Sequence, residues 1–277
     1  MKTSPLDEFH LVLASKDGYA SPGQARPPRR PRGAWVSLRF HLGGTVRTSI
    51  LGGKEAILRR LTPRRVAEIS LGMLRALERQ GVRFRIEGFD RLANAPGPRV
   101  YVANHMSLVE TMILPSVLLA FGDLSVVAKK SLAKYPFFGQ AMKGVGAILV
   151  SRENPKRDLH DVLEQGTAFL KEGRSVLLFP QAKRAIVFQP KEFNSLGVKL
   201  ARKAGVLLTP IALRTDVAPP GKTALLRDFG PVDLSNEVRF RCGPDLDPAS
   251  ASPGEVLDAA RDFISSTLSG WGLPVGE

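Results

Sequence analysis

Residues 82–213 alternate between short β-rich runs and helix-like runs, and this order constrains the fold more than any other feature of the chain. The β-rich runs are 82–86, 99–103, 124–128, 146–150, 175–179 and 207–213, and the helical runs are 108–121, 132–142, 157–171 and 195–204. A repeated strand–helix–strand order is typical of a largely parallel sheet whose faces are covered by helices. We therefore expect an α/β fold with a central, mostly parallel or mixed sheet flanked by helices.

Basic residues are concentrated in the N-terminal part of the chain. The net charge is +14, and residues 1–100 contain 19 Lys and Arg against 8 Asp and Glu. Residues 26–65 contain 11 basic side chains and a single acid, Glu55. Such a stretch attracts a polyanion, either nucleic acid or an anionic membrane surface. Because it has no aromatic stacking pairs and no helix-turn-helix pattern, we favour the membrane and expect no nucleic-acid partner.

Composition and spacing suggest three regions. Residues 1–33 are expected to be a flexible basic segment, because 21–33 is rich in Pro, Gly and Arg. Residues 34–81 are expected to form a basic, amphipathic helical region that associates with a membrane. Its last helix starts at Thr62-Pro63, and its apolar face either packs on the domain or rests on the membrane. Residues 82–277 are expected to form the α/β domain.

The chain is expected to bind a membrane peripherally, on the cytoplasmic side. It has no run of 18 apolar residues and no secretory signal pattern at its N-terminus. Its one cysteine, Cys242, excludes a disulfide within the chain and a cysteine metal cage, and is compatible with a reducing compartment.

Charged side chains directly follow three of the predicted strands. His105 follows 99–103 with Glu110 five residues later, Arg152 follows 146–150, and Arg184 follows 175–179. Ligands of open α/β sheets bind at the carboxyl ends of the strands, so these side chains could converge. A histidine with a carboxylate on its other ring nitrogen is a plausible general base, and arginines suit phosphate oxygens. Taken singly, a helix-capping histidine and surface arginines are the alternatives.

Four short blocks occur in a fixed order along the same part of the chain. They are Asn104-His105-x4-Glu110, Gly146-x-Ile148-x-Val150-x-Arg152, Phe179-Pro180-Gln181-x-x-Arg184 and Leu208-Thr209-Pro210-Ile211. In order and spacing they resemble the blocks of the glycerolipid acyltransferases, the family of 1-acyl-sn-glycerol-3-phosphate acyltransferases. The resemblance spans about residues 82–230.

The resemblance implies a specific reaction. Family members transfer a fatty acyl group from an acyl-CoA or acyl-carrier-protein thioester to the hydroxyl of a lysophospholipid, by default lysophosphatidic acid, giving phosphatidic acid. No metal and no cofactor beyond the thioester co-substrate is implied. By resemblance, His105 is the general base and Glu110 orients it, while Arg152 and Arg184 hold the acceptor phosphate. Pro210 would help to shape the acyl pocket. The remaining substrate-binding residues implied by the third block are Phe179, Pro180, Gln181 and Lys183.

The chain departs from the family pattern in two blocks. Glu110 stands where the family usually has Asp, which adds about 1.5 Å of reach, so the backbone spacing must adapt. In the third block Gln181 replaces Glu, Ala182 replaces Gly, and Lys183 adds a positive charge. These changes make the site more basic. Because of these changes, the alternative to an active acyltransferase is a catalytically inactive lipid-binding protein of the same fold.

Overall fold

The computed structural model describes residues 3–23, 31–181, 183–221 and 228–276. The helices are α1 (Pro5–Leu13), α2 (Ala34–Phe40), α3 (Arg47–Ile57), α4 (Pro63–Glu78), α5 (Asp90–Asn94), α6 (Val109–Leu118), α7 (Phe138–Gly144), α8 (Pro155–Lys171), α9 (Leu196–Ala204) and α10 (Pro253–Gly270). The strands are β1 (Tyr19–Ala20), β2 (Phe84–Glu87), β3 (Arg99–Ala103), β4 (Leu124–Lys129), β5 (Ile148–Val150), β6 (Ser175–Leu178), β7 (Leu207–Arg214) and β8 (Val238–Cys242). A π-helical turn, His41–Val46, joins α2 to α3, so that 34–57 is one helical run.

The strands form one sheet in the order β1-β2-β8-β7-β3-β6-β4-β5. Strands β7, β3, β6, β4 and β5 are all parallel to their neighbours in this series, whereas β8 is antiparallel to β7 and β1 is antiparallel to β2. All five residues of β3 and all four of β6 are buried, as expected for parallel strands covered on both faces. The predicted mixed, mostly parallel α/β sheet is therefore confirmed.

Two apolar layers pack on the two faces of the sheet. One layer includes α1, α4 and α6, with Phe9, Leu74 and Leu114 among its buried side chains. The other includes α8, α9 and α10, with Val162 and Leu200 among its buried side chains. The sheet is thus held between helices, and its carboxyl-end edge is left for the loops that follow β3, β5 and β6.

The described part of the N-terminal segment is ordered, contrary to the expectation of a flexible stretch. Ser4 caps α1, and the helix buries Leu6, Phe9 and Leu13 against the domain. Strand β1 then pairs with β2. The apolar residues of 5–13 recur at helical spacing. The expectation of flexibility was based on the composition of 21–33 and did not take this spacing into account. Residues 24–30 of the predicted flexible segment lie outside the described residues.

The predicted start of α4 is confirmed, and the choice between its two possible environments is decided. Thr62 accepts a hydrogen bond from the backbone N–H of Arg65, with Pro63 at the first helical position. Its apolar side chains, including Leu74 and Leu77, are buried in the domain core, so α4 packs rather than lying on a membrane. Six exposed large apolar side chains lie instead in 34–58.

Two helical segments differ from the sequence expectation. Residues 132–142 do not form one helix: a short 3-10 helix, Lys130–Lys134, is followed by α7, because Pro136 disfavours helical geometry in the residue before it. Helix α10 was not anticipated, although Ser252 and Glu255 form a capping box that is readable in the sequence. Within the described ranges no helix is both long and apolar enough to cross a membrane.

Candidate active site

The carboxyl ends of three parallel strands present the sequence-predicted residues at one edge of the sheet. His105 lies two residues beyond β3, Phe179 follows β6, and Arg152 lies two residues beyond β5. Strands β3 and β6 are neighbours, whereas β5 is three strand spacings from β3, or roughly 14 Å. The histidine and the third block are therefore adjacent, and Arg152 starts from a strand further along the same edge.

His105 and Glu110 form a hydrogen-bonded pair. The Nδ1 atom of His105 lies 2.9 Å from Oε1 of Glu110. Because a carboxylate only accepts, Nδ1 carries the hydrogen and Nε2 is left with a lone pair. The Glu110 side chain is fully buried, whereas that of His105 is 16% exposed. Of the two side chains, the one that solvent can reach is thus the imidazole of His105, which could take a proton.

Glu110 is held as a carboxylate by a set of donors. Its Oε1 accepts the backbone N–H groups of Met106 and Ser107, each at 2.7 Å, and its Oε2 accepts the hydroxyls of Ser107 at 2.8 Å and Thr215 at 2.5 Å. Burial by itself would raise the pKa of Glu110, but the hydrogen bonds from His105, Thr215 and Ser107 outweigh it and lower that pKa. The longer glutamate is accommodated because it is the second residue of α6 and reaches back over the 105–107 turn.

The third block supports His105 from the other side. The rings of Phe179 and His105 stack with centroids 4.3 Å apart and an interplanar angle of 23°. Gln181 is buried, and its Oε1 accepts the backbone N–H of His105 at 2.8 Å. The carbonyl of His105 in turn accepts the N–H of Ala185 at 2.9 Å. A glutamine can make this contact as well as a glutamate, so the altered block leaves the His105–Glu110 pair intact.

The other third-block residues have different surroundings. Pro180 is buried, and its carbonyl accepts a hydrogen bond from Asn194. Lys183 is exposed. Arg184 is largely buried and forms an ion pair with Asp228. Ala182, at the glycine position of the family, lies outside the described residues.

Arg152 occupies a strained turn at the end of β5. Its φ of 64° is left-handed, which costs a non-glycine residue about 1–2 kcal/mol. Asp158, in the first turn of α8, accepts the backbone N–H groups of Ser151 at 2.8 Å and Arg152 at 2.6 Å and so holds the turn. Burial lowers the pKa of the Arg152 guanidinium. The positive charge of Arg184 also lowers that pKa, whereas the negative charge of Asp158 raises it. The two arginines are therefore close enough to influence each other.

Pro210 lies in the middle of the sheet. It is a buried residue of β7 opposite Val102 of β3, and its carbonyl accepts the N–H of Gly243. A cavity of about 470 Å³ lies elsewhere, on the α4 face of the sheet, and begins beside Thr111 and Met112, directly after Glu110. Other lining residues include Leu61, Val66, Ile69, Pro115, Leu119, Phe138, Ala141 and Met142. This lining is mostly apolar.

Sequence reasoning missed several side chains that complete the site. Thr215 donates to Glu110 from 105 residues further along the chain, and no local pattern marks it. Asp228 likewise reaches Arg184 from a distant loop. The roles of Ser107 and Asp158 could have been predicted from the sequence. Both residues lie at helix N-termini, where Ser and Asp side chains commonly accept hydrogen bonds from backbone N–H groups. Across the described ranges, no group of three or more His, Cys, Asp and Glu side chains could hold a metal.

Comparison with known proteins identifies the family of the chain. A family model described as Acyltransferase matches residues 83–214. The 1-acyl-sn-glycerol-3-phosphate acyltransferase of Pseudomonas aeruginosa is 36% identical over 192 residues, which cover 68% of this chain and 70% of the relative. The chain belongs to this acyltransferase family. It is therefore an O-acyltransferase of glycerolipid metabolism by family, and the predicted membership is confirmed.

Other relatives align over a smaller share of their length. The chloroplastic 1-acyl-sn-glycerol-3-phosphate acyltransferase LPAT1 of Arabidopsis thaliana is 30% identical over 146 residues, covering 52% of this chain and 40% of that protein. The Escherichia coli protein of the same name is 28% identical over 123 residues, covering 44% and 49%. The chain thus matches about half or less of these two proteins.

The fold is shared with a solved structure. The crystal structure of the 1-acyl-sn-glycerophosphate (LPA) acyltransferase PlsC from Thermotoga maritima superimposes with a TM-score of 0.59 over 88% of this chain and 97% of that one. The two sequences are 20% identical, so this likeness speaks for the fold of the acyltransferase alone.

Proposed function

We propose that this acyltransferase moves a fatty acyl group from an acyl-CoA or acyl-carrier-protein thioester to the free hydroxyl of lysophosphatidic acid, giving phosphatidic acid. The observation that carries the proposal is the His105–Glu110 pair at the carboxyl edge of the sheet. The relatives named for the same acceptor add support.

The pair supplies a general base. Nε2 of His105 takes the proton of the acceptor hydroxyl as its oxygen attacks the thioester carbonyl carbon. The buried carboxylate of Glu110 stabilises the imidazolium that forms. The tetrahedral intermediate then collapses, the carbon–sulfur bond breaks, and the imidazolium returns the proton to the leaving thiolate. No acyl-enzyme is needed in this direct transfer.

Arginines and an apolar cavity would hold the two substrates. The charge of Arg184 acts on Arg152, so the two arginines are near each other, and planar guanidinium groups suit the oxygens of the acceptor phosphate. Exposed Lys183 adds positive charge next to Arg184 in the chain. The cavity beside Thr111 and Met112 offers an apolar site of the kind that a fatty acyl chain fills.

A mixed apolar and basic surface supports peripheral binding to an anionic membrane from the cytoplasmic side. Residues 34–60 expose large apolar side chains, among them Trp35 at 78% exposure. The others are Leu38, Leu42, Ile50, Ile57 and Leu58, and the exposed basic residues between them are Arg39, Arg47, Lys54, Arg59 and Arg60. Apolar groups inserted at the lipid interface and about 1 kcal/mol per well-placed basic residue would together hold the protein at the bilayer.

Replacing His105 by Ala tests the reaction. We expect phosphatidic acid formation from lysophosphatidic acid to fall by about 10²–10⁴-fold with either acyl-CoA or acyl-carrier protein as donor, because the base is gone. His160→Ala is the matched control, since His160 is an exposed residue of α8. Turnover of the His105 variant within tenfold of the unmodified chain would refute the mechanism, and an inactive unmodified chain that binds lysolipid would favour the inactive alternative.

Sedimentation with anionic vesicles tests the membrane surface. The double variant Trp35→Ala, Leu38→Ala should bind phosphatidylglycerol vesicles several-fold more weakly, because it removes apolar contact area. Leu11→Ala is the control, since Leu11 is 68% exposed in α1, outside this surface. Equal binding of both variants would contradict the assignment.

A further inference from the structure

Arg184 is tethered by a carboxylate that no sequence block contains. Its Nη2 donates to Oδ1 of Asp228, and the two side chains are only 16% and 18% exposed. An ion pair that is largely withdrawn from water constrains its arginine more than a surface pair does. The contact uses one of the five guanidinium donors, and the Nε and Nη1 atoms do not take part in it.

Asp228 lies in a short turn, 228–230, that is anchored independently of Arg184. The carbonyl of Gly230 accepts a hydrogen bond from Nε2 of His41 at 2.9 Å, and the rings of His41 and Phe229 pack edge to face 5.3 Å apart. Since a carbonyl only accepts, Nε2 carries the hydrogen, and burial lowers the pKa of His41 so that the ring stays neutral. The backbone N–H of Val232 further donates to Ser37. The turn is thus fastened to the helical run 34–57.

The charges around Arg184 explain why a tether is needed. Arg152 approaches it with a like charge, and the two repel each other when no anion lies between them. Asp228 supplies the opposite charge in direct contact with the guanidinium. Without that carboxylate, an arginine with four rotatable side-chain bonds would swing away from its neighbour and lose its orientation.

We propose that Asp228 is a positioning residue that holds Arg184 ready for the acceptor phosphate, and that His41 fixes Asp228 by anchoring the 228–230 turn. The inference rests on the proposed function, because it takes Arg184 to bind the acceptor phosphate. It connects the acceptor site to the helical run that carries the exposed apolar surface. The acceptor arginine and that surface are therefore mechanically linked through one turn.

Steady-state kinetics of the full chain with lysophosphatidic acid tests the positioning role. Asp228→Asn should raise KM for the acceptor on the order of tenfold, with kcat changed less than about twofold, because the arginine is disordered but the base is untouched. Asp228→Glu, which keeps the charge, should recover part of the loss. Asp258→Asn is the control, since Asp258 is an exposed acid of α10 that pairs with Arg261.

A double-variant cycle separates this inference from the proposed function. Arg184→Ala should raise KM, and adding Asp228→Asn to it should change nothing further, because Asp228 acts through Arg184. An unchanged KM in Arg184→Ala would refute the phosphate role itself. If KM rose in Arg184→Ala and Asp228→Asn added a further increase, only the positioning role would be overturned. A lowered KM in Asp228→Asn would also overturn that role, because Asp228 would then compete with the phosphate for Arg184.

The remote residue provides a second test that leaves the ion pair chemically intact. His41→Leu removes the hydrogen bond to Gly230 and should raise KM in the same direction as Asp228→Asn. His41→Gln, whose amide can donate to the same carbonyl, should restore a value near that of the unmodified chain. Equal KM values for the Leu variant and the unmodified chain would overturn the link to 34–57.

Discussion

Replacing Glu110 by Gln removes one negative charge from a fully buried position and leaves the shape of the side chain nearly unchanged. The amide oxygen can still accept from His105 and from the backbone N–H groups of Met106 and Ser107. The amide nitrogen faces the hydroxyls of Ser107 and Thr215, which can rotate to accept. We therefore expect Glu110→Gln to fold, so that its kinetics report the charge itself.

The expected effect follows from the distance between the two groups. Unit charges 2.9 Å apart attract by about 6 kcal/mol at an effective dielectric constant of about 20. If about half of the proton has been transferred to His105 in the transition state, the missing carboxylate costs about 3 kcal/mol, which is a fall of roughly a hundredfold in kcat. Glu110→Asp keeps the charge but withdraws it by about 1.5 Å, so its kcat should stay within about tenfold.

The assay is kcat for phosphatidic acid formation at saturating acceptor, with thermal unfolding of each variant as the check on folding. Glu78→Gln is the control, since Glu78 is another largely buried carboxylate with several donors, here Tyr19, Ser21 and Arg75, at the β1 edge of the sheet. It should leave kcat unchanged. If Glu110→Gln retained kcat within about threefold while His105→Ala was inactive, the carboxylate charge would have no role in the reaction.

Three further predictions concern stability, chain-length preference and pH. Phe9→Ala should lower the free energy of unfolding by about 3–5 kcal/mol in a denaturant titration, because Phe9 is 1% exposed and packs on the core. Exposed Leu11→Ala is the control. If Phe9→Ala lost less than about 1 kcal/mol, as Leu11→Ala should, α1 would not belong to the folded unit. Val66→Phe should fill part of the apolar cavity and shift preference towards shorter acyl donors, by about fourfold in kcat/KM for each methylene excluded; unchanged preference would place the acyl chain elsewhere. The lowered pKa of Glu110 stabilises the folded chain at pH values above the ordinary value of 4.5, so this stabilisation should be lost as the pH falls below 4.5 towards the folded pKa. The advantage of the unmodified chain over Glu110→Gln in unfolding free energy should therefore shrink on acidification, and an advantage that grew would contradict the sign.

Local patterns were sufficient for much of the fold. The start of α4 at Thr62-Pro63 was predicted because a capping residue and a proline act within a few residues of each other. The α/β class was predicted because a buried parallel strand and an amphipathic helix each have a characteristic hydrophobic period. The ordered α1 was missed because the composition of a neighbouring stretch was extended over the whole N-terminal segment, although its own apolar spacing is helical.

By itself, the sequence was enough to propose which residues carry the chemistry and to determine which end of the sheet presents them. His105 and Glu110 are close in the chain, and a parallel sheet brings the ends of its strands to one edge whatever the details of packing. Only the tertiary structure decided what holds these groups in place. Thr215 reaches Glu110, Asp228 reaches Arg184, and His41 reaches Gly230 from 105, 44 and 189 residues away. Such partners are brought together by the order of strands and the packing of helices, which are properties of the whole chain and leave no short-range pattern to read.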